Sequence, residues 1–257
     1  MNRIFTSILI TAAIGLSSVS CSNSSSSAIA GINFGNSSSF ESNPNSKNVT
    51  RSIKISRVNE IQTSSGLNVT YVVSNENKVV ITAPEDIQNK ITVKSRGNEL
   101  KLGVTESIRN IHQLAKITVM SPDIISFEAS SGSSITLPTA FSPKDGELEV
   151  ETSSGASISG NGLKTKLLGA ETSSGSSISL NVTAESAAFS SSSGSSMSLS
   201  GTAKTVSFSA SSGSSISAGN LKASTGKATA SSGASIKCSI KSPTGISKSS
   251  GGSVSNR

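Results

Sequence analysis

Acidic residues near the middle of the chain have a spacing that would allow acid–base chemistry. Glu147, Glu149 and Glu151 alternate along one segment, and Glu171 follows Glu151 by 20 residues. Paired carboxyl groups are what glycoside hydrolysis requires, and clustered carboxylate oxygens also bind Ca²⁺. A polysaccharide-active enzyme that uses Glu149, Glu151 and Glu171 is therefore one alternative for the function of this chain.

Neighbouring lysines favour a simpler interpretation of these acids. Lys164 and Lys166 lie between the two acidic segments and would neutralise them as an exposed ionic patch. Sugar-cleaving sites also need basic or aromatic groups placed for the substrate, and aromatic residues make up only 3% of the chain. We therefore expect no catalytic residues and no enzyme.

Other reactive side chains are scarce. The chain has 1 histidine, His112, and 2 cysteines, Cys21 and Cys238, which rules out most transition-metal and nucleophile constellations. No phosphate-binding glycine loop is present. We expect no metal and no cofactor, and Cys238 falls where a small apolar side chain would fill an interior position.

Serine hydroxyls recur at a fixed place in the second half of the chain, and they form the candidate binding face. A glycan or another surface would be held there by many weak contacts. The alternative is that stacked serines hydrogen-bond to one another and serve only the fold. The face consists of Ser134, Ser157, Ser177, Ser196, Ser215 and Ser235, with a second row from Thr136 to Ser255.

These side chains are positioned by a repeat whose marker is the triplet Ser-Ser-Gly. From Gly132 onward, successive triplet glycines are separated by 23, 20, 19, 19, 20 and 18 residues. Such a period is typical of a solenoid, in which each repeat is one turn stacked on the last. The triplet glycines are Gly66, Gly132, Gly155, Gly175, Gly194, Gly213, Gly233 and Gly251.

Alternation with period two follows each triplet and predicts half-buried β-strands. The strand after the triplet has one inner row of large apolar residues. A second strand, before the triplet, has another inner row, which continues to Ala228 and Ile246. The fold class predicted is all-β: a right-handed parallel β-helix (β-solenoid) with turns of about 20 residues. The first inner row is Ile135, Ile158, Ile178, Met197, Ile216, Ile236 and Val254.

The N-terminal segments predict export and anchoring. Residues 1–20 combine Arg3, an apolar stretch and a small-residue run, as a secretory signal does. Cys21 then stands where a bacterial lipoprotein carries its lipid, although Ser18 departs from the usual Leu, so plain secretion is the alternative. We expect a Ser/Asn-rich tether at 21–46, irregular N-terminal turns at 47–129 and regular turns at 130–255.

Charge is distributed unevenly along the chain. The formal net charge is +7, and no acidic residue follows Glu185. The distal half therefore suits anionic glycans or lipid head groups, while protection of solenoid edges by lysine is the plainer explanation. Nucleic acid is not expected, because an exported chain with few aromatics lacks stacking groups.

The run from Asn48 to Val104, with its strand entry SSGLNVTYVV, and the serial SSGSSI turns together resemble the DUF2807 family. That family is described as putative auto-transporter adhesin, head GIN domain, and is common among Bacteroidetes lipoproteins. The resemblance covers roughly residues 47–255. It implies a right-handed β-helix in the cell envelope and brings no catalytic residues.

Together these observations predict a cell-envelope lipoprotein, anchored to the outer membrane through Cys21. It would be a non-enzymatic, adhesin-like β-helix that contacts glycans or other cell-surface components. A structural spacer without a ligand is the remaining alternative.

Overall fold

The computed structural model describes residues 39–257 and is a β-solenoid of about 7 turns with roughly 20-residue spacing, which confirms the predicted fold class. Two one-turn helices, α1 (Glu85–Gln88) and α2 (Ile111–Leu114), interrupt the strands. The strands are β1 (Asn48–Lys54), β2 (Glu60–Thr63), β3 (Asn68–Val73), β4 (Lys78–Pro84), β5 (Ile91–Arg96), β6 (Glu99–Val104), β7 (Lys116–Ser121), β8 (Ser126–Ala129), β9 (Ser134–Thr136), β10 (Glu147–Thr152), β11 (Ser157–Thr172), β12 (Ser177–Ser191), β13 (Ser196–Ala210), β14 (Ser215–Ala230), β15 (Ser235–Lys248) and β16 (Ser253–Asn256).

Parallel pairing joins consecutive turns at the residues that the repeat alignment brings together. Ile158 pairs with Ile178, which pairs with Met197, and all three are buried. In the strand before the triplet, Phe189 pairs with Phe208, and their rings stack with centroids 5.4 Å apart. The interior is therefore a set of apolar columns that run along the coil.

The prediction for Ile246 is wrong. This residue pairs with Ala228 as the alignment expects, but it is 43% exposed. In the described part of the chain, no strand pairs with the other side of residues 242–248, so nothing covers that side of the last turn.

Each triplet forms a tight hydrogen-bonded corner. At the sixth one, Ser212 and Gly213 have φ of 52° and 70°, and the Ser214 amide donates to the Ser211 carbonyl at 3.1 Å. Two successive positive φ angles define a type I′ turn. The Gly213 amide donates to the Ser232 carbonyl of the next turn at 2.9 Å. The sequence predicted the unusual φ for glycine but missed it for the preceding serine.

A small residue directly follows each triplet from Gly132 to Gly233 and is buried beneath the corner, whereas the buried Leu67 follows the first triplet. Ser195 is 2% exposed, and its hydroxyl lies 2.9 Å from the Thr172 carbonyl oxygen and 2.6 Å from that of Ser192. It also accepts a hydrogen bond from the Ser192 amide at 3.1 Å. Because a buried hydroxyl is costly unless it is hydrogen-bonded, these contacts explain how serine occupies an interior row.

The first triplet belongs to the same column, although 66 residues separate Gly66 from Gly132. The Gly66 amide donates to the Ser131 carbonyl at 3.0 Å, and β2 and β3 pair in parallel with β8 and β9. Residues 74–121 lie between these two turns in sequence and include β6 and β7, which pair in parallel with the opposite edges of β2 and β3. The repeat therefore contains an insertion rather than a gap.

Beyond β6 and β7, the N-terminal end of the coil is covered by the antiparallel strands β1, β4 and β5. β4 pairs antiparallel with both β1 and β7, and β5 pairs antiparallel with β6. The buried Gln88 amide group donates to the Val49 carbonyl at 2.6 Å. Covering an open sheet edge in this way satisfies its unpaired backbone groups and blocks association with other chains.

The folded unit extends back to Phe40, into the segment that the sequence assigned to the tether. The Phe40 amide donates to the Ser107 carbonyl at 2.7 Å, and the Lys90 ammonium lies 4.0 Å from the centre of the Phe40 ring. The Asn43 amide donates to the Asp86 carboxylate at 2.7 Å. The predicted signal peptide and Cys21 lie outside the described residues.

Two glycine substitutions separate backbone strain from steric exclusion. For Gly213→Ala we expect a loss of about 1–2 kcal/mol of unfolding free energy, because only the left-handed φ is unfavourable for alanine and no atom lies near the new Cβ. Gly201→Ala should cost clearly more, since its Cβ would lie 2.0 Å from the Val182 carbonyl oxygen. Urea unfolding measures both, and equal losses would contradict the expectation.

Candidate functional site

The predicted serine face exists as one straight column. Parallel pairing places Ser177 beside Ser157 and Ser196, and Ser196 beside Ser215. Ser177, Ser196 and Ser215 are exposed, whereas Ser134, Ser157 and Ser235 are half-buried. The second row has the same register, from Thr136 through Ser159, Ser179, Ser198, Ser217 and Lys237 to Ser255. We call these two rows the hydroxyl face.

Most hydroxyls of this face are not used by the fold. Two of the six serines donate a hydrogen bond along the column: the Ser235 hydroxyl donates to that of Ser215 at 3.3 Å, and the Ser134 hydroxyl donates to the side-chain oxygen of its strand partner Asn68 at 2.7 Å. Within residues 39–257, Ser157, Ser177 and Ser196 make no side-chain hydrogen bond. The interpretation that stacked serines satisfy one another therefore holds for Ser215 and Ser235 and not for Ser157, Ser177 and Ser196.

A shallow groove of about 340 Å³ borders the second row. Its walls carry the row's hydroxyls and two amide side chains, Asn161 and Asn181, which the sequence analysis missed. The Asn181 amide donates to the Ser200 hydroxyl at 2.9 Å. Each asparagine comes three residues after the inner isoleucine of its turn, and this repetition was the available signal. The polar lining is Thr136, Thr139, Ser159, Asn161, Ser179, Asn181, Ser198 and Ser200.

The acidic residues also meet, and the cluster is larger than predicted. Glu151 pairs with Glu171 on one side, which confirms the expected register, and with Glu128 on the other. Glu149 and Glu60 lie at equivalent positions two turns apart, with Ser126 between them. Glu128, like Glu151 and Glu171, stands two residues before its triplet. Alignment on the triplet would therefore have found it.

Lys164 and Lys166 do not neutralise these acids, contrary to the sequence-based expectation. Neither lysine forms an ion pair with a carboxylate in the described part of the chain. Both lysines line a different groove. They lie in the part of β11 that precedes the segment with Glu171. The cluster is therefore left without the two expected cations.

Burial and mutual repulsion act together on the acidic cluster. Burial, followed by the charges of Glu149 and Glu128, raises the pKa of Glu151 to about 7. Burial also raises the pKa values of Glu128, Glu149 and Glu171, and the charge of a neighbouring glutamate adds to each. Both effects disfavour the ionised form. Near neutral pH, the cluster holds a proton that isolated glutamates would have lost.

The other candidate residues have structural surroundings. Cys238 is buried in an inner row, and burial raises the pKa of its thiol. His112 is exposed, and its carbonyl accepts a hydrogen bond from the Asn68 amide at 2.7 Å. Among residues 39–257, no group of three or more His, Cys, Asp and Glu side chains is arranged to hold a metal ion.

With this geometry the family can be stated. The family model described as "Putative auto-transporter adhesin, head GIN domain", DUF2807, matches residues 57–257. The chain belongs to this family, as its triplets and first strands predicted. No curated protein matches the chain in sequence.

Three solved structures from Parabacteroides and Bacteroides species share the fold. A putative lipid binding protein from Parabacteroides distasonis is 17% identical with a TM-score of 0.74, over 86% of this chain and 100% of that one. A putative adhesin from Parabacteroides merdae is 17% identical with a TM-score of 0.69, over 84% and 99%. A putative adhesin from Bacteroides fragilis is 20% identical with a TM-score of 0.57, over 85% and 100%. At these identities the likeness establishes the fold alone.

In the part of the chain that the structure describes, neither helix has the length and apolar character needed to cross a membrane.

The acidic cluster predicts that the protein becomes more stable on mild acidification. As pH falls from 8 through about 7, folded Glu151 takes up a proton, while the unfolded chain stays ionised until about pH 4.5. The unfolding free energy should therefore rise between pH 8 and pH 5. Allowing for solvent screening, we expect a contribution of about 1–2 kcal/mol from Glu151.

Urea unfolding at a series of pH values measures this effect. Glu151→Gln should flatten the rise and stabilise the protein at pH 8, whereas the exposed control Glu85→Gln should leave the profile unchanged. A wild-type protein that loses stability steadily from pH 8 to pH 5 would contradict the assignment.

Proposed function

We propose that this chain is a non-enzymatic, adhesin-like protein of the cell envelope. It contacts neutral glycans or other hydroxyl-rich cell-surface components through its hydroxyl face. The observation that carries the proposal is a straight column of hydroxyls with few partners of their own, beside a groove lined by hydroxyls and amides. Such groups both donate and accept hydrogen bonds, as sugar hydroxyls do.

The repeat makes weak contacts effective. Each hydroxyl contributes little in water, because a hydrogen bond to a ligand replaces one to solvent. Equivalent hydroxyls recur about every 4.8 Å along the coil, and the paired strands hold them in place before binding. A ligand that meets several at once therefore loses little further conformational freedom of the protein.

Anchoring through Cys21 completes the proposal. The apolar stretch before Cys21 and the small Ser20 preceding it support export and lipid attachment. A lipid there, together with the Ser/Asn-rich segment that follows, would hold the coil at the outer membrane. Its hydroxyl face would then be presented to the surroundings.

The acidic cluster favours the alternative of a polysaccharide-active enzyme, because a carboxyl group with a pKa of about 7 suits a general acid. The adhesin-like role is preferred for two reasons. The family is described by adhesion, and the groove beside the hydroxyl face is not lined by these carboxyl groups.

Valine substitutions on the hydroxyl face test the binding role. Ser177→Val, Ser196→Val and Ser215→Val together should abolish binding on a glycan array, because valine keeps the strand geometry and removes three hydroxyls. The matched control is Ser190→Val, Ser209→Val and Thr229→Val, which form a column on another strand segment and should leave binding unchanged.

Preserved binding by the first variant, with unchanged circular dichroism, would eliminate the hydroxyl face. Release of new reducing ends or unsaturated products, abolished by Glu151→Gln, would support the enzyme instead.

Replacing the predicted lipid site tests the anchoring. Cys21→Ala should move the protein from the membrane fraction to the soluble fraction, since the thiol that would carry the lipid is gone. Cys238→Ala is the control for loss of a cysteine and should leave the distribution unchanged. Full membrane retention of the Cys21 variant would contradict the anchor.

A further inference from the structure

A second groove, of about 1060 Å³, runs along the coil on a different part of each turn. Its floor is a column of small or recessed side chains: Ala184 pairs with Ala203, Ala203 with Ala223, and Ala223 with Ile240. These four residues are only 3–6% exposed. The floor is low because its side chains are buried in the core, whereas the residues before and after them in each turn alternate to the outer face and form walls.

Both walls are basic. One wall is the column Lys164, Thr183, Thr202, Lys222 and Ser239. The other consists of the residues that follow the floor in each turn: Lys166, Glu185, Lys204, Ser224 and Lys241. Lys144 and Arg257 complete a lining that has one carboxylate, Glu185, among its charged residues.

Six of these cations have no carboxylate partner. Glu185 is paired with Lys204 at 3.3 Å, and within residues 39–257 none of the other lining cations lies within ion-pair distance of a carboxylate. Positive charges along a concave surface add their electric fields and attract anions into it. The groove is therefore a region of uncompensated positive potential.

Protection of solenoid edges does not explain Lys204 and Lys222. Lys204 lies in β13, between β12 and β14, and Lys222 lies in β14, between β13 and β15. Both are interior to the sheet, where no unpaired backbone needs protection. Their position favours a ligand.

From this groove we infer a binding site for a linear acidic polysaccharide, distinct from the hydroxyl face. On the wall of Lys166, Lys204 and Lys241, a cation recurs on every second turn, or about every 10 Å. A polymer with regularly repeated carboxylates would meet several of these cations at once, whereas a small anion would meet one or two. The aliphatic stems of the lysines give the C–H faces of sugar rings an apolar surface.

Other polyanions fit the groove less well. Its lining contains no aromatic side chain, so the bases of a single-stranded nucleic acid would have nothing to stack on. A flat anionic bilayer would touch the rims of a trough and leave its floor empty.

The test measures binding of the full chain to an oligogalacturonate long enough to span five turns, about 20 Å. Isothermal titration calorimetry should show binding that weakens as salt is raised to about 0.15 M. The same oligomer in its methyl-esterified, neutral form should not bind. Equal affinity for the esterified form would overturn the inference, because charge would then play no part.

Matched lysine variants locate the site. Lys164→Gln, Lys222→Gln and Lys241→Gln together should weaken binding by about tenfold or more, the factor that 1.4 kcal/mol represents. The control Lys227→Gln, Lys237→Gln and Lys248→Gln removes the same charge outside the groove and should change the affinity less than twofold. Equal losses in the two variants would overturn the inference.

Two further probes decide the class of ligand. Tighter binding to an oligothymidylate, or to phosphatidylglycerol vesicles, than to the oligogalacturonate would overturn the inference in favour of a nucleic acid or a membrane. The serine-to-valine variant of the hydroxyl face should bind the oligogalacturonate normally. The hydroxyl face and the basic groove are therefore tested independently.

Discussion

The hydrogen bond from each corner glycine to the next turn is the constraint on which the rest of the coil depends. The Gly213 amide donates to the Ser232 carbonyl, and the equivalent bond recurs from Gly66 to Gly233. The strand after each triplet therefore begins in the same register as the equivalent strand of the adjacent turn. Because strand side chains alternate with period two, a slip of one residue would exchange the inner and outer rows. The corners prevent that slip.

The corner geometry also explains the composition of the chain. Two left-handed residues in succession reverse the chain within a very small radius, and from Gly132 onward the position beneath the corner is serine, alanine or glycine. Ser195 fills that space and hydrogen-bonds to the Thr172 and Ser192 carbonyl oxygens. Serine is thus an interior residue on one row and a surface residue on the next. A chain with only 3% aromatic residues still builds a closed core.

Because the turns stack in register, a functional group of one repeat recurs at the equivalent position of the next. Hydroxyls become a continuous face and lysines become the walls of a groove. Carboxylates become a cluster whose members raise one another's pKa. The cationic wall limits repulsion by placing threonine at two turns between Lys164 and Lys222. The acidic column has no such spacing between Glu151 and Glu171, and these carboxyl groups pair directly.

The amino-acid sequence by itself determined the coil, its period and the inner and outer rows, because a fixed triplet and an alternation of two leave few other structures possible. It also placed Glu151 beside Glu171. Only the tertiary structure decided which separate segments meet: Glu60 lies near the other acids because β2 pairs in parallel with β8 across the insertion of residues 74–121. Lys164 and Lys166 are kept from those acids by the bend between two strand segments of one turn. Where a chain bends depends on packing between turns, and no single repeat contains that information.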